Sequence, residues 1–432
     1  MRFNRNIQIH PALFIGIIFM ATTLARAATA PANPNASAAT KATLNYLYQI
    51  SGKGILAGQE SMMWDHGSGA HSSSRDKYVF DKTGKYPAYY SSDFGDVNAV
   101  SELAQRQRVV DNCIQRHNEG AIISLSWHAV QPDKPEEGGF NTMHIGNYAS
   151  GNIDKMLTTG DPLNVEWLKR LDAIAGYLKQ LQDNGVVVLW RPFHEMNGDW
   201  FWWCLQPRYK DLWKQEFDRF TTYHKLNNLL WVFSCNYYSE GDQTVKNLYS
   251  GHQYVDILGV DVYLEYGHQY AKFIHDDLLT LGDNRPIGIT ENGQMPDVSV
   301  IKTTMPKFCF WLTWFGFENK SDDNLYRRNY DDAYTITEDE VKIDTNVTVI
   351  ERRSGFTPRG VEFRQSDRSL RLGFDSPANQ AIEINRINGA SVLKTRTSRS
   401  AIYLSLAAVS PGAYCISVRS DKIQFCQRLI VR

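Results

Sequence analysis

Short apolar runs recur along the first 320 residues of the chain, and segments with helical periodicity separate them. Most of these runs are almost continuously hydrophobic, which is typical of parallel strands that are covered on both faces. In the intervening segments 168–181 and 213–223, apolar residues return every three or four positions, as on one face of a helix. Eight strands that alternate with helices predict an α/β fold, a (β/α)8 TIM barrel. The eight runs span residues 54–60, 88–94, 120–128, 185–195, 228–235, 254–263, 286–292 and 308–315.

Polar and aromatic residues follow the apolar part of several runs. Barrels of this class place their chemistry at the carboxyl ends of the strands. Carboxylates at these positions are not explained by packing, because burying an unpaired charge is costly. In the third run, Ser124, Ser126 and His128 share one face and apolar residues occupy the other. We therefore expect the polar face to look into the barrel mouth and the apolar face to contact the helices.

Two glutamates, Glu195 and Glu291, end the fourth and the seventh runs. Carboxyl groups on nearly opposite strands of one barrel can face each other across a cleft. Glycoside hydrolysis requires such a pair, because one carboxyl protonates the leaving oxygen and the other attacks the sugar or activates water. The spacing alone leaves an alternative open, in which a glutamate at a strand end anchors a neighbouring helix.

The segment 190–203 reads Trp-Arg-Pro-Phe-His-Glu-Met-Asn-Gly-Asp-Trp-Phe-Trp-Trp. It closely resembles the fourth-strand signature of glycoside hydrolase family 26, whose members are chiefly endo-β-1,4-mannanases. One departure is visible, since Cys204 follows the tryptophan pair where the family usually has glycine, and this puts the adjoining loop geometry in doubt. The resemblance runs from about residue 40 to residue 343. It extends to Ser-Trp-His at 126–128, Val-Asp-Val-Tyr at 260–263, Ile-Thr-Glu-Asn-Gly at 289–293 and Leu-Thr-Trp at 312–314.

The resemblance implies a retaining mechanism with a mannosyl-enzyme ester. Glu195 would be the general acid/base and Glu291 the nucleophile, which requires a raised pKa on Glu195 while Glu291 stays ionised. Tyr263 would orient Glu291 by a hydrogen bond, and Asp261 would hold that network. Arg191, four residues before Glu195, is our own addition: a cation inside the barrel would help to keep Glu291 ionised. For Tyr263, a role in packing alone is the alternative.

Four further residues would contact the sugar by the same resemblance. His128 and His194 would donate or accept hydrogen bonds at the cleavage point, although His128 could instead be a core histidine. Trp200 and Trp314 would be stacking platforms, because the apolar faces of pyranose rings pack on flat aromatic rings. By parity, we expect Trp311 to face the helices. The adjacent residues 202 and 203 cannot both point at substrate, so we expect one of them to be part of the packing. No metal or other cofactor is expected, since the histidines at 66 and 71 match no metal-binding spacing.

From about residue 357 the apolar pattern changes to period two, which predicts a small all-β sandwich over 357–432. The predicted barrel spans 41–343, and a linker spans 344–356. The tract 381–432 resembles the C-terminal sorting domains of type IX secretion, with Ile-Asn-Gly at 387–389 and Ser-Pro-Gly-Ala-Tyr at 410–414. A carbohydrate-binding module and a structural appendage are the alternatives. The first of these is weakened because no tryptophan follows Trp314.

The six cysteines do not form a dense disulfide framework. A hairpin centred on residues 420 and 421 would place Cys415 directly opposite Cys426, where a disulfide is plausible in an oxidising compartment. Whether the two are bonded stays open at this point. The other four lack metal-ligand spacing and are expected to be buried free thiols, namely Cys113, Cys204, Cys235 and Cys309.

The amino terminus has the layout of a secretory signal peptide. Arg2 and Arg5 precede an apolar run over 12–20, and Ala-Arg-Ala at 25–27 fits a cleavage site. The run is shorter than the roughly 20 residues that span a bilayer. We therefore expect a signal peptide at 1–27, a linker at 28–40, and a mature protein that is secreted or at the cell surface.

Composition changes this picture little. The chain has 432 residues and a formal net charge of −1, which excludes a polybasic nucleic-acid-binding protein. The sequence thus predicts a monomeric retaining endo-β-1,4-mannanase that acts on β-mannan, glucomannan or galactomannan. Two alternatives remain, namely the same chemistry on mixed-linkage glucan or β-1,3-xylan, and a non-catalytic glycan-binding protein. The presence of both Glu195 and Glu291 argues against the last. The exact glycan, the number of subsites and the preference for endo or exo cleavage stay open.

Overall fold

The computed structural model forms two compact units, Met1–Ile343 and Asp344–Arg432. In the first unit the structure describes residues 30–62, 74–95, 103–138 and 152–343. In the second it describes 361–366, 369–374, 380–386, 391–399, 401–406, 409–410, 412–419 and 424–431. The expected signal peptide, the expected linker at 344–356 and the histidines at 66 and 71 lie outside the described residues.

The first unit is built on a parallel sheet whose strands pair in the order of the chain. Strands β2 to β8 form one seven-stranded sheet, and β1 pairs with β9. All of these pairings are parallel, as expected for strands that are separated by helices. The strands are β1 (Ile55–Leu56), β2 (Gly58–Glu60), β3 (Tyr89–Asp93), β4 (Ile122–Ser126), β5 (Val188–Arg191), β6 (Leu229–Asn236), β7 (Ile257–Val262), β8 (Ile287–Asn292) and β9 (Thr335–Ile336).

Residues 308–313 close the sheet into a barrel. They bridge in parallel to the first strand segment, through Leu56 to Phe310, and to β8, through Ile287 to Phe308. The amide of Cys309 donates to the carbonyl of Ile287 at 2.7 Å, and the carbonyl of Cys309 accepts from Leu56 at 2.8 Å. The eighth apolar run therefore supplies the eighth barrel strand, and the predicted (β/α)8 architecture is confirmed.

Helices cover the outside of the barrel. The long helix α5 shows why these segments are helical, because Asp161 caps its first turn, proline occupies its first position and Trp167, Ile174 and Leu178 recur on its buried face. The helices are α1 (Ala38–Ile50), α2 (Ser74–Thr83), α3 (Arg106–Glu119), α4 (Asn152–Met156), α5 (Pro162–Asp183), α6 (Tyr209–Asp218), α7 (Thr244–Leu248), α8 (Lys272–Leu281), α9 (Val298–Thr304) and α10 (Asp323–Asp331).

The two faces of each strand belong to different apolar clusters. On β4, Ile123 and Leu125 join the large cluster that includes the helices, and so does Trp127 after the strand. Ile122 belongs instead to a smaller cluster formed largely by inward-facing residues of the barrel strands. Ser126 points the same way and donates a hydrogen bond to the buried Asp93. The predicted alternation on this strand is therefore confirmed.

The segment before α1 does not behave as the predicted linker. The amide of Ala32 donates to Asp256 at 2.6 Å, and the side chain of Asn33 donates to the carbonyl of Leu226 at 3.0 Å. Within the interval 28–40, the linker prediction therefore fails from residue 32 onward. Its composition suggested a linker, but its polar groups instead pair with the amino-terminal face of the barrel.

The second unit contains two antiparallel sheets. Strands β10, β11 and β14 form one, and β13, β12, β15 and β16 form the other in that order. Inward residues of both sheets share one apolar cluster, with Leu370 and Leu372 from one and Ile382 and Ile416 from the other. This is the predicted β-sandwich. The strands are β10 (Val361–Ser366), β11 (Ser369–Phe374), β12 (Gln380–Arg386), β13 (Ser391–Thr397), β14 (Ala401–Ser405), β15 (Gly412–Arg419) and β16 (Gln424–Val431).

The final hairpin has a different register from the predicted one. Cys415 pairs with Arg428, and Cys426 pairs with Ser417. The last pair joins Arg419 to Gln424, whereas the predicted register would have joined Arg419 to residue 422. The prediction that the two cysteines lie directly opposite each other is therefore wrong. The four other cysteines are buried free thiols, as predicted.

Within the residues that the structure describes, no helix is both long and apolar enough to cross a bilayer.

Candidate active site

Glu195 lies in a tight turn beyond the end of its strand. β5 ends at Arg191, and the chain then passes through two left-handed residues, Phe193 (φ 46°) and Glu195 (φ 54°). The amide of Glu195 donates to the carbonyl of Ser234 at 2.8 Å, which ties the turn to the next strand. The turn keeps Glu195 at the barrel mouth with 8% of its surface exposed.

Glu291 reaches the same point from within β8. A register shift after Val260 on the neighbouring strand β7 pairs Asp261 with Glu291. As a result, one carboxylate oxygen each from Glu195, Asp261 and Glu291 lie within 4.8 Å of one another. Retaining glycosidases hold their two carboxyl groups about 5–5.5 Å apart, whereas inverting enzymes leave roughly 6.5–9.5 Å for a water molecule. The spacing matches the retaining geometry.

Arg191 and Tyr263 hold the Glu291 carboxylate at both oxygens. The guanidinium of Arg191 donates to Oε1 of Glu291 and, at 3.2 Å, to Oδ2 of Asp261. The hydroxyl of Tyr263 donates to Oε2 of Glu291 at 2.6 Å. Burial, followed by repulsion from Glu291, raises the pKa of Asp261 to about 8, although the charge of Arg191 opposes this rise. The predicted positions of Arg191 and Tyr263 beside the nucleophile therefore match this geometry.

Glu195 has the environment of an acid that keeps its proton. Burial raises the pKa of Glu195 well above its ordinary value, and the charges of Asp261 and Glu291 raise it further. The indole of Trp200 donates to Oε2 of Glu195 at 2.8 Å and partly opposes this rise. Two neighbouring glutamates thus differ in environment, as a general acid and a nucleophile must.

The two histidines form a chain beneath the cleft. Nδ1 of His128 lies 2.8 Å from Asp93, and its Nε2 lies 3.1 Å from Nε2 of His194. Nε2 of His194 is also 3.9 Å from Glu291. Burial and then Arg191 lower the pKa of His194 well below its usual range, so this ring is neutral. Both rings are buried, and their contact with sugar stays a prediction.

A cavity of about 430 Å³ opens above these groups. This volume lies within the roughly 300–1,000 Å³ that is typical of ligand sites. Five of the predicted residues line it, and Arg191, Asp261, His128 and His194 lie below. The lining residues are Glu195, Trp200, Phe201, Asn236, Tyr263, Tyr266, His268, Glu291, Trp314 and Phe317.

Several lining residues were missed by sequence reasoning. Asn236 ends β6, one residue past the predicted run, so the same rule of polar strand ends would have found it. Asp93, which pairs with His128 below the cavity, ends β3 and would have been found in the same way. Tyr266 ends a short 3-10 helix, Leu264–Tyr266, and Phe317 lies in a loop; strand periodicity carries no information at either position. Tyr266 is 70% exposed at the rim of the cavity.

The other tryptophans within the described residues are part of the packing. Trp202 and Trp203 are both fully buried, which agrees with the expectation that they do not both reach substrate. Trp202 donates to the carbonyl of Ala129 and packs edge-on against Trp167, which explains its inward position. Trp311 is buried in the cluster on the helix side, as predicted.

Residues 32–340 match the family described as glycosyl hydrolase family 26. The chain is 31% identical over 326 residues to a mannan endo-1,4-β-mannosidase of Thermothelomyces thermophilus, covering 72% of this chain but only 63% of that protein. GH26A from Muricauda sp. MAR_2010_75 superposes with a TM-score of 0.65 at 36% identity over 72% of this chain and 99% of that one. A β-mannanase from a symbiotic protist of the termite Reticulitermes speratus, complexed with gluco-manno-oligosaccharide, gives 0.64 at 26% identity, over 74% and 99%. The chain belongs to glycosyl hydrolase family 26.

Proposed function

We propose that this protein is a retaining endo-β-1,4-mannanase that hydrolyses β-mannan, glucomannan or galactomannan. The observation that carries the proposal is the pair Glu195 and Glu291, whose carboxylate oxygens lie within 4.8 Å below an aromatic cleft. The choice of mannan is supported by the relatives, one named a mannan endo-1,4-β-mannosidase and one bound to a gluco-manno-oligosaccharide. The chain spans about two thirds of that named relative, so its activity is inferred for the part that it shares.

In the first step, a carboxylate oxygen of Glu291 attacks the anomeric carbon of the bound sugar. The bond from that carbon to the bridging oxygen breaks, and Glu195 gives its proton to this oxygen as it leaves. Arg191 and Tyr263 fix the orientation of Glu291 during the attack. The product of this step is a glycosyl ester on Glu291 and a shortened glycan.

In the second step, Glu195 changes from acid to base. Burial is the largest cause of its raised pKa, but the charges of Asp261 and Glu291 contribute as well. Ester formation removes the charge of Glu291, so the pKa of Glu195 falls and the ionised form becomes available. Glu195 then takes a proton from water, the water oxygen attacks the anomeric carbon and Glu291 leaves with the bonding electrons. Two inversions give a product of retained configuration.

The decisive experiment compares sugar release from mannan, mixed-linkage glucan and β-1,3-xylan by the wild-type protein and by Glu291→Ala. We expect release from mannan, with internal cleavage, and almost none from the variant. Sugar release from mixed-linkage glucan or β-1,3-xylan, but not from mannan, would change the proposed substrate. Equal release by the wild-type protein and a correctly folded Glu291→Ala variant would overturn the assignment of the nucleophile.

The role of Glu195 is tested by the leaving group. Glu195→Ala is expected to be far slower on mannan than on an activated aryl mannoside, because a good leaving group needs little protonation. Azide should accelerate breakdown of the ester in this variant and give a β-configured glycosyl azide. An α-configured azide or an inverted hydrolysis product would contradict the retaining route.

We further propose that the protein is exported and that residues 357–432 serve its delivery. The proposal is supported by the basic and apolar layout of residues 2–20 and by the sorting-domain resemblance of 381–432. A chain ending at residue 356 should hydrolyse mannan normally but remain in the periplasm of the native host. Normal export with weaker binding to insoluble mannan would instead identify a glycan-binding module. Loss of the barrel fold would identify a structural role.

A further inference from the structure

Three consecutive carbonyl groups in the turn 193–195 each accept a hydrogen bond from a side chain farther along the chain. The hydroxyl of Tyr209 donates to the carbonyl of residue 193 at 3.1 Å. The indole of Trp203 donates to the carbonyl of residue 194 at 2.7 Å. The thiol of Cys204 donates to the carbonyl of residue 195 at 3.2 Å. We call Trp203, Cys204 and Tyr209 the carbonyl clamp.

The turn that the clamp holds is strained. Phe193 and Glu195 both have positive φ, at 46° and 54°, in a region that residues with a Cβ atom rarely occupy. Such conformations persist only where the surrounding structure over-determines them, and they concentrate at functional sites. The strained residues flank His194 and include the proposed general acid itself. The turn therefore depends on contacts that it does not make internally.

The clamp donors cannot be replaced by solvent. All three clamp side chains are 0% exposed, so water cannot take the place of a lost donor at the carbonyls of residues 193 and 194, whereas the carbonyl of residue 195 also accepts from the amide of Gly198. A buried polar group that loses its partner carries the full cost of its desolvation. The turn would relax toward ordinary φ values and carry the Glu195 carboxyl away from Trp200 and Glu291. The position of the Glu195 carboxyl group thus depends on the buried hydrogen bonds of the clamp.

We propose that Trp203, Cys204 and Tyr209 are positioning residues that hold Glu195 in place for proton transfer. The proposal rests on the proposed function to the extent that Glu195 is taken as the general acid. It goes beyond that function because none of the three side chains lines the cleft. Their hydrogen bonds reach Glu195 through the backbone carbonyls of the turn.

The test removes one donor at a time. Tyr209→Phe and Cys204→Ala delete a donor, whereas Cys204→Ser keeps one and should restore the wild-type behaviour. Tyr334→Phe is the matched control, because its hydroxyl donates to the carbonyl of Pro306 at 2.6 Å near the opposite end of the barrel. Thermal unfolding of each variant separates a change in stability from a change in positioning.

The first readout is kcat/KM on a manno-oligosaccharide and on a 2,4-dinitrophenyl β-mannoside. Losing the position of the acid should slow the oligosaccharide by about tenfold and the activated substrate by less than about twofold. Tyr334→Phe should leave the ratio of the two rates unchanged. An equal loss on both substrates in Tyr209→Phe and Cys204→Ala, or no loss on either, would overturn the proposal and leave the clamp a merely structural feature.

The second readout does not require activity. The amide of Glu195 donates to the carbonyl of Ser234, and the amide of Gly198 donates to the carbonyl of Glu195, both at 2.8 Å. Hydrogen exchange at these two amides should accelerate by about tenfold in Tyr209→Phe and not in Tyr334→Phe. If the wild-type protein cleaves no mannan, the proposed function fails while this measurement still decides the clamp. Unchanged exchange in Tyr209→Phe would refute the clamp, even in a fully active enzyme.

Discussion

Replacing Tyr263 with phenylalanine removes one oxygen atom from the support of the nucleophile. Its hydroxyl donates to Oε2 of Glu291 at 2.6 Å, while Arg191 holds the other oxygen. Tyr263 is 8% exposed, so water has little access to take the place of the hydroxyl. The aromatic ring stays, with its edge-on contact to Phe317 at 5.3 Å between ring centroids. The change therefore tests the hydrogen bond with little effect on packing.

The two chemical steps should respond differently. Hydrogen bonds to charged groups contribute about 1.5–3 kcal/mol, which corresponds to a rate change of roughly 10- to 150-fold. In the second step Glu291 is the leaving group and regains its charge, so the hydroxyl of Tyr263 stabilises this transition state. In the first step Glu291 loses charge, and the same bond gives orientation but no charge stabilisation. We expect Tyr263→Phe to slow ester breakdown more than ester formation.

Stopped-flow kinetics with a 2,4-dinitrophenyl β-mannoside would measure both steps. In Tyr263→Phe, kcat should fall by at least about tenfold and KM should fall with it, because the ester accumulates. A burst of dinitrophenol and an added glycosyl mass on the intact protein should accompany this change. The control Tyr334→Phe should show wild-type values. Equal falls in kcat and kcat/KM without ester accumulation would refute the reasoning.

Three further predictions concern pH, stability and binding. Trp200→Phe should move the alkaline limb of kcat/KM to higher pH, because the lost hydrogen bond favoured the ionised form of Glu195; a downward shift would contradict this. Burial raises the pKa of Glu216 to about 8, although Trp190 donates a hydrogen bond to its carboxyl group. As pH rises, Glu216 therefore ionises in the unfolded chain before it ionises in the folded protein, and the folded protein loses stability between about pH 5 and pH 8. The free energy of unfolding of Glu216→Gln should therefore rise relative to that of the wild-type protein by about 1.4 kcal/mol for each pH unit across that range. Urea unfolding measures this difference, and a difference that is constant with pH would disprove the prediction. Tyr266 is 70% exposed at the cleft, so Tyr266→Ala should raise KM for oligosaccharides without changing thermal stability. Tyr223 is 64% exposed outside the cleft, and Tyr223→Ala should change neither KM nor thermal stability.

The strand pattern predicted the barrel because burial on both faces leaves a continuous apolar signal. It also predicted Glu291, since this residue lies inside a regular strand where parity fixes its direction. The same reasoning reached only the neighbourhood of Glu195. Its strand ends at Arg191, and the following left-handed residues are neither glycine nor asparagine. No periodic signal reports such a turn, because its conformation depends on donors that lie about ten residues later.

The two failed predictions at the chain's periphery have a common cause. The segment 32–40 has the composition of a linker, and the hairpin around 420 has an alternating pattern that permits more than one register. In both places the local sequence does not specify the distant residues with which the segment pairs. Asn33 bonds to residues near position 226, and Cys415 pairs with Arg428. Long-range pairing decides both structures, and composition does not encode it.

In the proposed mechanism, one buried cation accounts for the division of roles between the two glutamates. Arg191 faces Asp261 and Glu291 together and lowers the pKa of Asp261, although burial and the nearby charge of Glu291 raise that pKa to about 8. The guanidinium is paired directly with the Glu291 carboxylate. Glu195 makes no contact with this cation, and burial is the first cause of its raised pKa. A second cation near Glu195 would favour its ionised form and remove the acid. In the proposed mechanism, the carboxyl group that is paired with Arg191 therefore attacks, and the buried carboxyl group of Glu195 gives its proton.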